Sequence, residues 1–273
     1  MDVYRALLGS RRSGQRVGLW GHIRSYVSPH HPVDAALERW QLRSADHIFA
    51  YAPGGARFAI DAGVPQAKVT TVMNSVATED LLATVRSLSR SEVDSFADEH
   101  GLTKGKIYAF VGGLDSSKRI DFLAKALNHL WDFDPIARVI VGGVGDQSRH
   151  FDLAVSRGQV IMIGRAGTKE FALIAHLAEA ILMPGRIGLI AVEALALRIP
   201  IITTDWPFHA PEVEYLKEGV SMFTAPNEPQ AYARFISTRM VRKLETTDYS
   251  GWDFPSLQAM VDNFSRGVRS LLP

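Results

Sequence analysis

Gly185, Gly188 and Glu193 fall within nine residues of one another in Pro184-Gly-Arg-Ile-Gly-Leu-Ile-Ala-Val-Glu193, and that spacing has a chemistry. The apolar run Ala180 to Met183 predicts a buried strand that enters a glycine-containing turn. The turn opens a helix predicted over Leu189 to Leu197, and Pro200 introduces a further apolar strand, Ile201 to Thr204. A strand, a glycine turn and a helix N-terminus together bind anions, because backbone N–H groups without helical acceptors and the positive end of the helix dipole converge there. Glu193 lies about one turn into the helix. A phosphate on the amides of Gly188, Leu189 and Ile190, beside a carboxylate on sugar hydroxyls, suits a nucleotide-linked ligand. The neighbours Ala191, Val192, Ala194 and Leu195 are apolar, so Glu193 is expected in a partly buried place that calls for a polar partner.

A second group of residues sits at the end of another predicted strand. Phe110-Val-Gly112-Gly113-Leu-Asp-Ser-Ser-Lys118 places two glycines and a cation in a strand-to-helix loop. Val139-Ile-Val-Gly-Gly-Val-Gly-Asp146 follows a further strand, but Ser148 stands where a dinucleotide fingerprint needs its third glycine. Ile163-Gly164-Arg165 closes one more strand.

The elements that must position these residues form two α/β blocks. In the first, helices are predicted over Val3 to Ser10, Pro32 to Arg43 and Ala56 to Ala62. Strands are predicted over Arg16 to Trp20, His47 to Tyr51 and Lys68 to Met73. The polar stretch Thr78 to Thr103 predicts one helix, Ser91 to His100 with Ser91 as cap, and a linker. In the second block, strands at Ile107 to Val111, Arg138 to Val141 and Val160 to Ile163 alternate with helices at Ile120 to Leu130, Asp152 to Arg157 and Thr168 to Glu179, the last capped by Thr168. Gln230 to Leu244 and Phe254 to Leu272 are also helical in period. Continuous apolar strands separated by helices predict a parallel sheet covered on both faces, which binds ligands at the carboxyl ends of its strands.

Composition excludes several function classes. The 273 residues are 47% apolar and 22% charged, with a net charge of +1, so no general pull toward nucleic acid exists. No cysteine is present, which rules out disulfides and thiolate metal sites. The oily region Phe171 to Ile202 is interrupted by His176, Glu179, Arg186, Glu193 and Arg198, so it reads as buried core rather than a membrane span. No His/Asp/Glu cluster has metal-ligand spacing.

The two loops also resemble a known family. Ile187-Gly-Leu and Glu193-Ala-Leu-Ala-Leu-Arg-Ile-Pro-Ile-Ile-Thr-Thr-Asp205 are similar to the donor-binding motif of glycosyltransferase family 4, the retaining GT-B enzymes. Gly185 stands where that motif usually carries its first Glu. Phe110 to Leu123 resembles the family's "VGRLvpeKGid.LL", with Lys118 in place and Gly113 at the Arg position. Gly18-Leu-Trp-Gly-His22, Ser44 to Ala50 and Gly63 to Asn74 resemble the last part of the family's amino-terminal domain. The resemblance implies a GT-B-like α/β fold of two Rossmann-like doubly wound parallel-sheet domains, the amino-terminal one incomplete. The chain then lacks on the order of 100 residues of acceptor domain. The expected division is a partial acceptor-side domain over 1–90 and a nucleotide-sugar-binding domain over 91–245, with a terminal helix over 246–273 packing back toward the first.

By the same resemblance the activity is that of a hexosyltransferase in polysaccharide biosynthesis, transferring sugar with retention from a nucleoside diphosphate donor to a glycan or lipid-linked acceptor, with no cofactor or metal. Lys118 and His22 are the implied catalytic residues: Lys118 neutralises the leaving diphosphate and His22 faces the reacting sugar. Gly112, Gly113, Lys118, Gly164, Arg165, Gly185, Arg186, Gly188, Leu189, Ile190 and Glu193 are the implied donor-binding set. Glu193 holds the ribose, the turn at Gly164 and Arg165 borders the base, and Arg119 or Arg186 substitutes for the cation missing at Gly113. Arg5, Arg11, Arg12 and Arg16 flank the first helix, which fits either a solvated face or contact with the inner, cytoplasmic membrane surface. Two alternatives stay open: an inactive remnant that binds nucleotide or scaffolds, and a GT-B epimerase, for which no acid/base carboxylate pair is found.

Overall fold

In the computed structural model of the protein the described residues are 3–24, 32–102, 106–238 and 251–272. They form two compact units. The first comprises Met1–Val76, Phe208–Glu214 and Pro255–Pro273, and the second Ala77–Pro207 and Tyr215–Phe254. Both are α/β with parallel sheets.

The first unit runs α1 (Val3–Ser13), β1 (Gly18–Gly21), α2 (Pro32–Ser44), β2 (His47–Ala50), α3 (Pro53–Asp61) and β3 (Val69–Thr71). Its sheet has the order β1-β2-β3 among the described residues. Leu7, Leu42, Ile48, Ala59 and Val64 form its core. The side chains of Arg11 and Arg12, part of the expected basic cluster, lie outside the described residues.

The second unit begins with α4 (Glu79–Ser87) and α5 (Arg90–Glu99). The sequence predicted one helix here, because the apolar residues of Glu79 to Ser87 (Leu81, Leu82, Ala83 and Val85) are interspersed with polar ones in a short run that reads as linker. The cap of α5 is Ser89 rather than Ser91. Its hydroxyl accepts the Glu92 N–H at 3.3 Å while the Glu92 carboxylate accepts the Ser89 N–H at 3.0 Å, a reciprocal pair that only this register permits.

Then follow β4 (Ile107–Val111), α6 (Ile120–Phe133), β5 (Arg138–Gly142), α7 (Asp152–Ser156), β6 (Val160–Met162), α8 (Thr168–Leu177), β7 (Ala180–Leu182), α9 (Ile190–Leu197), β8 (Ile201–Thr204), β9 (Met222–Ala225) and α10 (Pro229–Thr238). The cap of α8 is Gly167, whose amide donates to the Glu170 carboxylate at 2.9 Å; Thr168 is the first helical residue. The expected extension of α10 to Leu244 lies outside the described residues. Strand β9 has no counterpart in the sequence reading, because Met-Phe-Thr-Ala at a sheet edge is too short and too mixed to stand out.

The second sheet is all parallel, with strand order β6-β5-β4-β7-β8-β9. Counting from β4, this is the 3-2-1-4-5-6 order of the dinucleotide-binding fold. The direction of winding reverses between β4 and β7, the switch point at which open α/β sheets bind ligands. Buried runs such as Tyr108-Ala-Phe and Ile181-Leu182 fill the strands. Tyr232 anchors α10 by donating its hydroxyl to the Ile202 carbonyl at 2.7 Å.

The last helix, α11 (Leu257–Arg269), belongs to the first unit. It lies against β2 and β3: the tilted rings of Phe264 and Phe49 have centroids 4.7 Å apart, and Ser270 meets His47 at 3.0 Å. His47 also bonds Thr70 at 2.8 Å, and burial holds its imidazole below the usual histidine range.

Candidate active site

The loops after β4 and β7 meet at this switch point. After β4 the chain passes Gly112 and Gly113, and the Gly112 N–H donates to the Gly142 carbonyl at 3.0 Å. The Leu114 N–H donates to the Val144 carbonyl, also at 3.0 Å, which laces this loop to the one after β5. A side chain at Gly143 would meet the Gly112 carbonyl, so Gly143 serves this lacing. The Asp115 carboxylate then caps a short turn, accepting the Ser117 N–H at 2.8 Å, and the turn ends at Lys118.

The loop after β7 is bound to that turn through three carbonyls. The Arg186 N–H donates to the Ser117 carbonyl at 2.9 Å, and the Lys118 ammonium donates to the Arg186 carbonyl at 2.6 Å. The Arg119 guanidinium donates to the Pro184 carbonyl at 3.3 Å. Gly185 lies inside this clasp. A Cβ there would stand 2.5 Å from the Lys118 carbonyl carbon and 2.6 Å from the Ser117 oxygen. The carboxylate that the resemblance places at this position is therefore excluded by main chain from the neighbouring loop.

Arg119 is not available as a substitute phosphate cation. It sits in the left-handed region at φ 57° and also donates to Thr204 at 3.1 Å and Asn227 at 2.7 Å. Its guanidinium stacks between Phe122 and Trp206, 4.1 and 4.4 Å from the ring centroids. Burial lowers its pKa from the usual arginine range, with Asp121 opposing. Arg119 thus ties the ends of β7 and β8 to the start of α6. Asn227 and Trp206 escaped the sequence reading because they adjoin Arg119 only in the fold. Arg119→Ala should destabilise the protein by about 1–3 kcal/mol, read by urea unfolding. Arg119→Lys should recover little of it, because an ammonium cannot stack and fork simultaneously.

Gly188, Leu189 and Ile190 form the opening turn of α9, where helix geometry leaves N–H groups without intrahelical acceptors. Glu193 falls in the first helical turn, half-buried. Burial raises its carboxyl above the usual carboxylate range, and no described side chain offsets that.

On the other side of β4, a cleft of about 240 Å³ is lined by Gly112, Gly113, Gly142, Gly143, Val144 and Arg165. Gly164 supplies the turn after β6 with φ 70°, and Arg165 is exposed. The second unit thus gathers Gly112, Gly113, Lys118, Gly164, Arg165, Gly185, Arg186, Gly188, Leu189, Ile190 and Glu193 along the carboxyl edge of one sheet. His22 belongs to the first unit, where it follows β1 and meets the Tyr51 ring edge-on at 5.2 Å. The next residue, Ile23, has φ 70°, a strained conformation for a β-branched side chain. Among the described residues no group of three or more His, Cys, Asp or Glu could hold a metal ion.

Comparison with known proteins agrees with this architecture. An uncharacterized 41.2 kDa protein from the cps region of Klebsiella pneumoniae is 25% identical over 175 residues, covering 62% of this chain and 45% of that protein. The chain therefore spans less than half the length of the curated relative it matches. Among solved structures, the Anabaena HepE protein in complex with UDP-glucose superposes with a TM-score of 0.67 at 16% identity, over 98% of this chain and 75% of HepE. A glycosyltransferase from Rickettsia africae gives 0.67 at 14% identity, over 99% of this chain and 80% of its own. At such identities the likeness establishes the fold. Residues 93–241, more than half of the chain and the span that carries both crevice loops, match the model for glycosyl transferases group 1, and the chain belongs to that family.

Proposed function

We propose that this protein is a retaining GT-B glycosyltransferase of family 4, moving a hexosyl group from a nucleoside diphosphate donor to a hydroxyl of a glycan or lipid-linked acceptor. One observation carries the proposal. At the switch point of the second sheet, two interlocked loops leave a half-buried carboxylate, Glu193, in the first turn of a helix whose opening amides face the same edge.

In this mechanism Glu193 accepts hydrogen bonds from the ribose hydroxyls of the donor. The amides of Gly188, Leu189 and Ile190, the dipole of α9 and Lys118 stabilise the diphosphate as its bond to the anomeric carbon breaks. The acceptor hydroxyl forms the new bond from the same face, and a departing phosphate oxygen takes its proton. His22 is the group proposed to face the transferred sugar. The nucleotide sugar is a substrate, and the chemistry calls for no metal. The relatives that hold UDP or UDP-glucose support a nucleotide-sugar donor. Among the described residues no helix is long and apolar enough to cross a membrane. Contact with a lipid-linked acceptor is proposed at the cytoplasmic membrane surface.

Isothermal titration with UDP, GDP and their sugars tests binding, and sugar release from a donor panel tests turnover. Micromolar-range binding with turnover is the expected result. The filled position at Gly185 favours one alternative, a remnant that binds donor without releasing sugar. Binding without turnover, with any acceptor or water, would select it; the absence of nucleotide binding removes both.

A further inference from the structure

A pyrophosphate brings two negative charges into a crevice, and cations must answer them. Four cations stand on or beside the loops described above. Arg119 is held by three acceptors and two rings. Lys118 already donates to the Arg186 carbonyl, and Arg186 does not line the cleft of Gly112 and Gly113. Arg165 differs from all of these. It is the one ionisable residue lining the cleft at the ends of β4, β5 and β6, whose other walls are Val144 and glycine backbone. Lys118 approaches the same glycine: a Cβ on Gly112 would lie 3.9 Å from Lys118 Cε. Gly112 is thus common to Lys118 and to the cleft that Arg165 lines. At Gly113, a Cβ would meet only the Asp115 carboxylate, at 3.0 Å.

Building on the proposed function, we propose that Arg165 supplies the second positive charge on the donor pyrophosphate, in place of a cation at position 113. A cleft walled by glycine backbone lets the phosphates approach closely, and the guanidinium, reaching in from the turn after β6, closes it. Nothing in this role depends on the base. Arg165 acts on charge, and its effect should scale with the number of phosphates.

The test is calorimetric titration of UDP, UMP and uridine, with the guanosine series in parallel, into wild type, Arg165→Ala and the double variant Arg165→Ala/Gly113→Arg. An unchanged melting temperature for Arg165→Ala controls for folding. The expected result is an affinity loss of about tenfold or more for the diphosphate, less for the monophosphate and none for the nucleoside, with a shallower salt dependence. The added Arg at 113 should recover much of the diphosphate loss. An equal loss for nucleoside and diphosphate would assign Arg165 to the base and overturn the inference, as would an unchanged diphosphate affinity. Failure of wild type to bind either series would instead remove the nucleotide-binding proposal on which this one rests.

Discussion

Gly185→Glu, the change that supplies the carboxylate placed here by the resemblance to family 4, is expected to lower the melting temperature by roughly 4–8 °C and to give no gain in donor affinity. The side chain has nowhere to go. Its Cβ alone would lie 2.5–2.6 Å from the main chain of Ser117 and Lys118, and carbonyl atoms of a hydrogen-bonded turn cannot yield as a flexible side chain can. Relief requires the two loops to separate. That lengthens the bond from the Arg186 N–H to Ser117 and frees the Lys118 ammonium from the Arg186 carbonyl. Overpacking of this kind typically costs about 1–3 kcal/mol, and two hydrogen bonds are at risk besides. Gly113→Arg provides the contrast, since the space there is open but for the Asp115 carboxylate. That variant should keep its stability. Thermal melts of the two proteins side by side, followed by UDP titration, decide the matter: a Gly185→Glu protein as stable as wild type would show that the clasp is looser than described.

The second large effect concerns Glu193 and has opposite signs for binding and for folding. Glu193→Ala should weaken donor binding about 10- to 100-fold, the range expected when charge-assisted hydrogen bonds to a ligand are lost. The unliganded protein should become slightly more stable, because a half-buried carboxylate with no described side-chain partner is a burden on the fold. Its pH dependence follows from linkage. Burial raises the folded-state pKa above the ordinary value of 4.5, so between the two the native state holds the proton more often than the unfolded chain does. The contribution of this group to stability is therefore present below 4.5 and is lost as pH rises through the folded value. Glu193→Gln lacks that loss, so its stability advantage over wild type should grow from pH 4 to pH 8. Donor affinity of the wild type should move the other way, rising with pH as the carboxylate ionises and can accept from the ribose. Chemical denaturation and UDP titration across that pH range check both signs. Equal donor affinity in wild type and Glu193→Ala would remove the ribose role.

Much of this was legible from the chain. The strands around the crevice are buried on both faces, so their residues must be continuously apolar, and runs such as Ile107 to Val111 announce themselves. The two crevice loops carried their glycines and charges at recognisable offsets. What escaped were elements whose signal is shared with solvent-facing structure: α4, polar on most of its surface, and β9, a mixed edge strand. The caps of α5 and α8 were misplaced because Ser89 and Ser91, like Gly167 and Thr168, are neighbours that sequence alone cannot rank; the position of Glu92 and Glu170 within the folded turn decides.

By itself, the sequence determined an α/β chain with a parallel sheet, a glycine turn that opens a helix and a carboxylate one turn inside it, because periodicity and local spacing encode all three. It left Gly185 as a missing acid and Arg119 as a spare cation. Only the tertiary structure turned the first into a site filled by the backbone of a turn 67 residues away and the second into a tie between strand ends. The physical reason is that steric exclusion and hydrogen-bond occupancy belong to pairs of atoms brought together by chain reversal. No residue's own type, nor its near neighbours, records them.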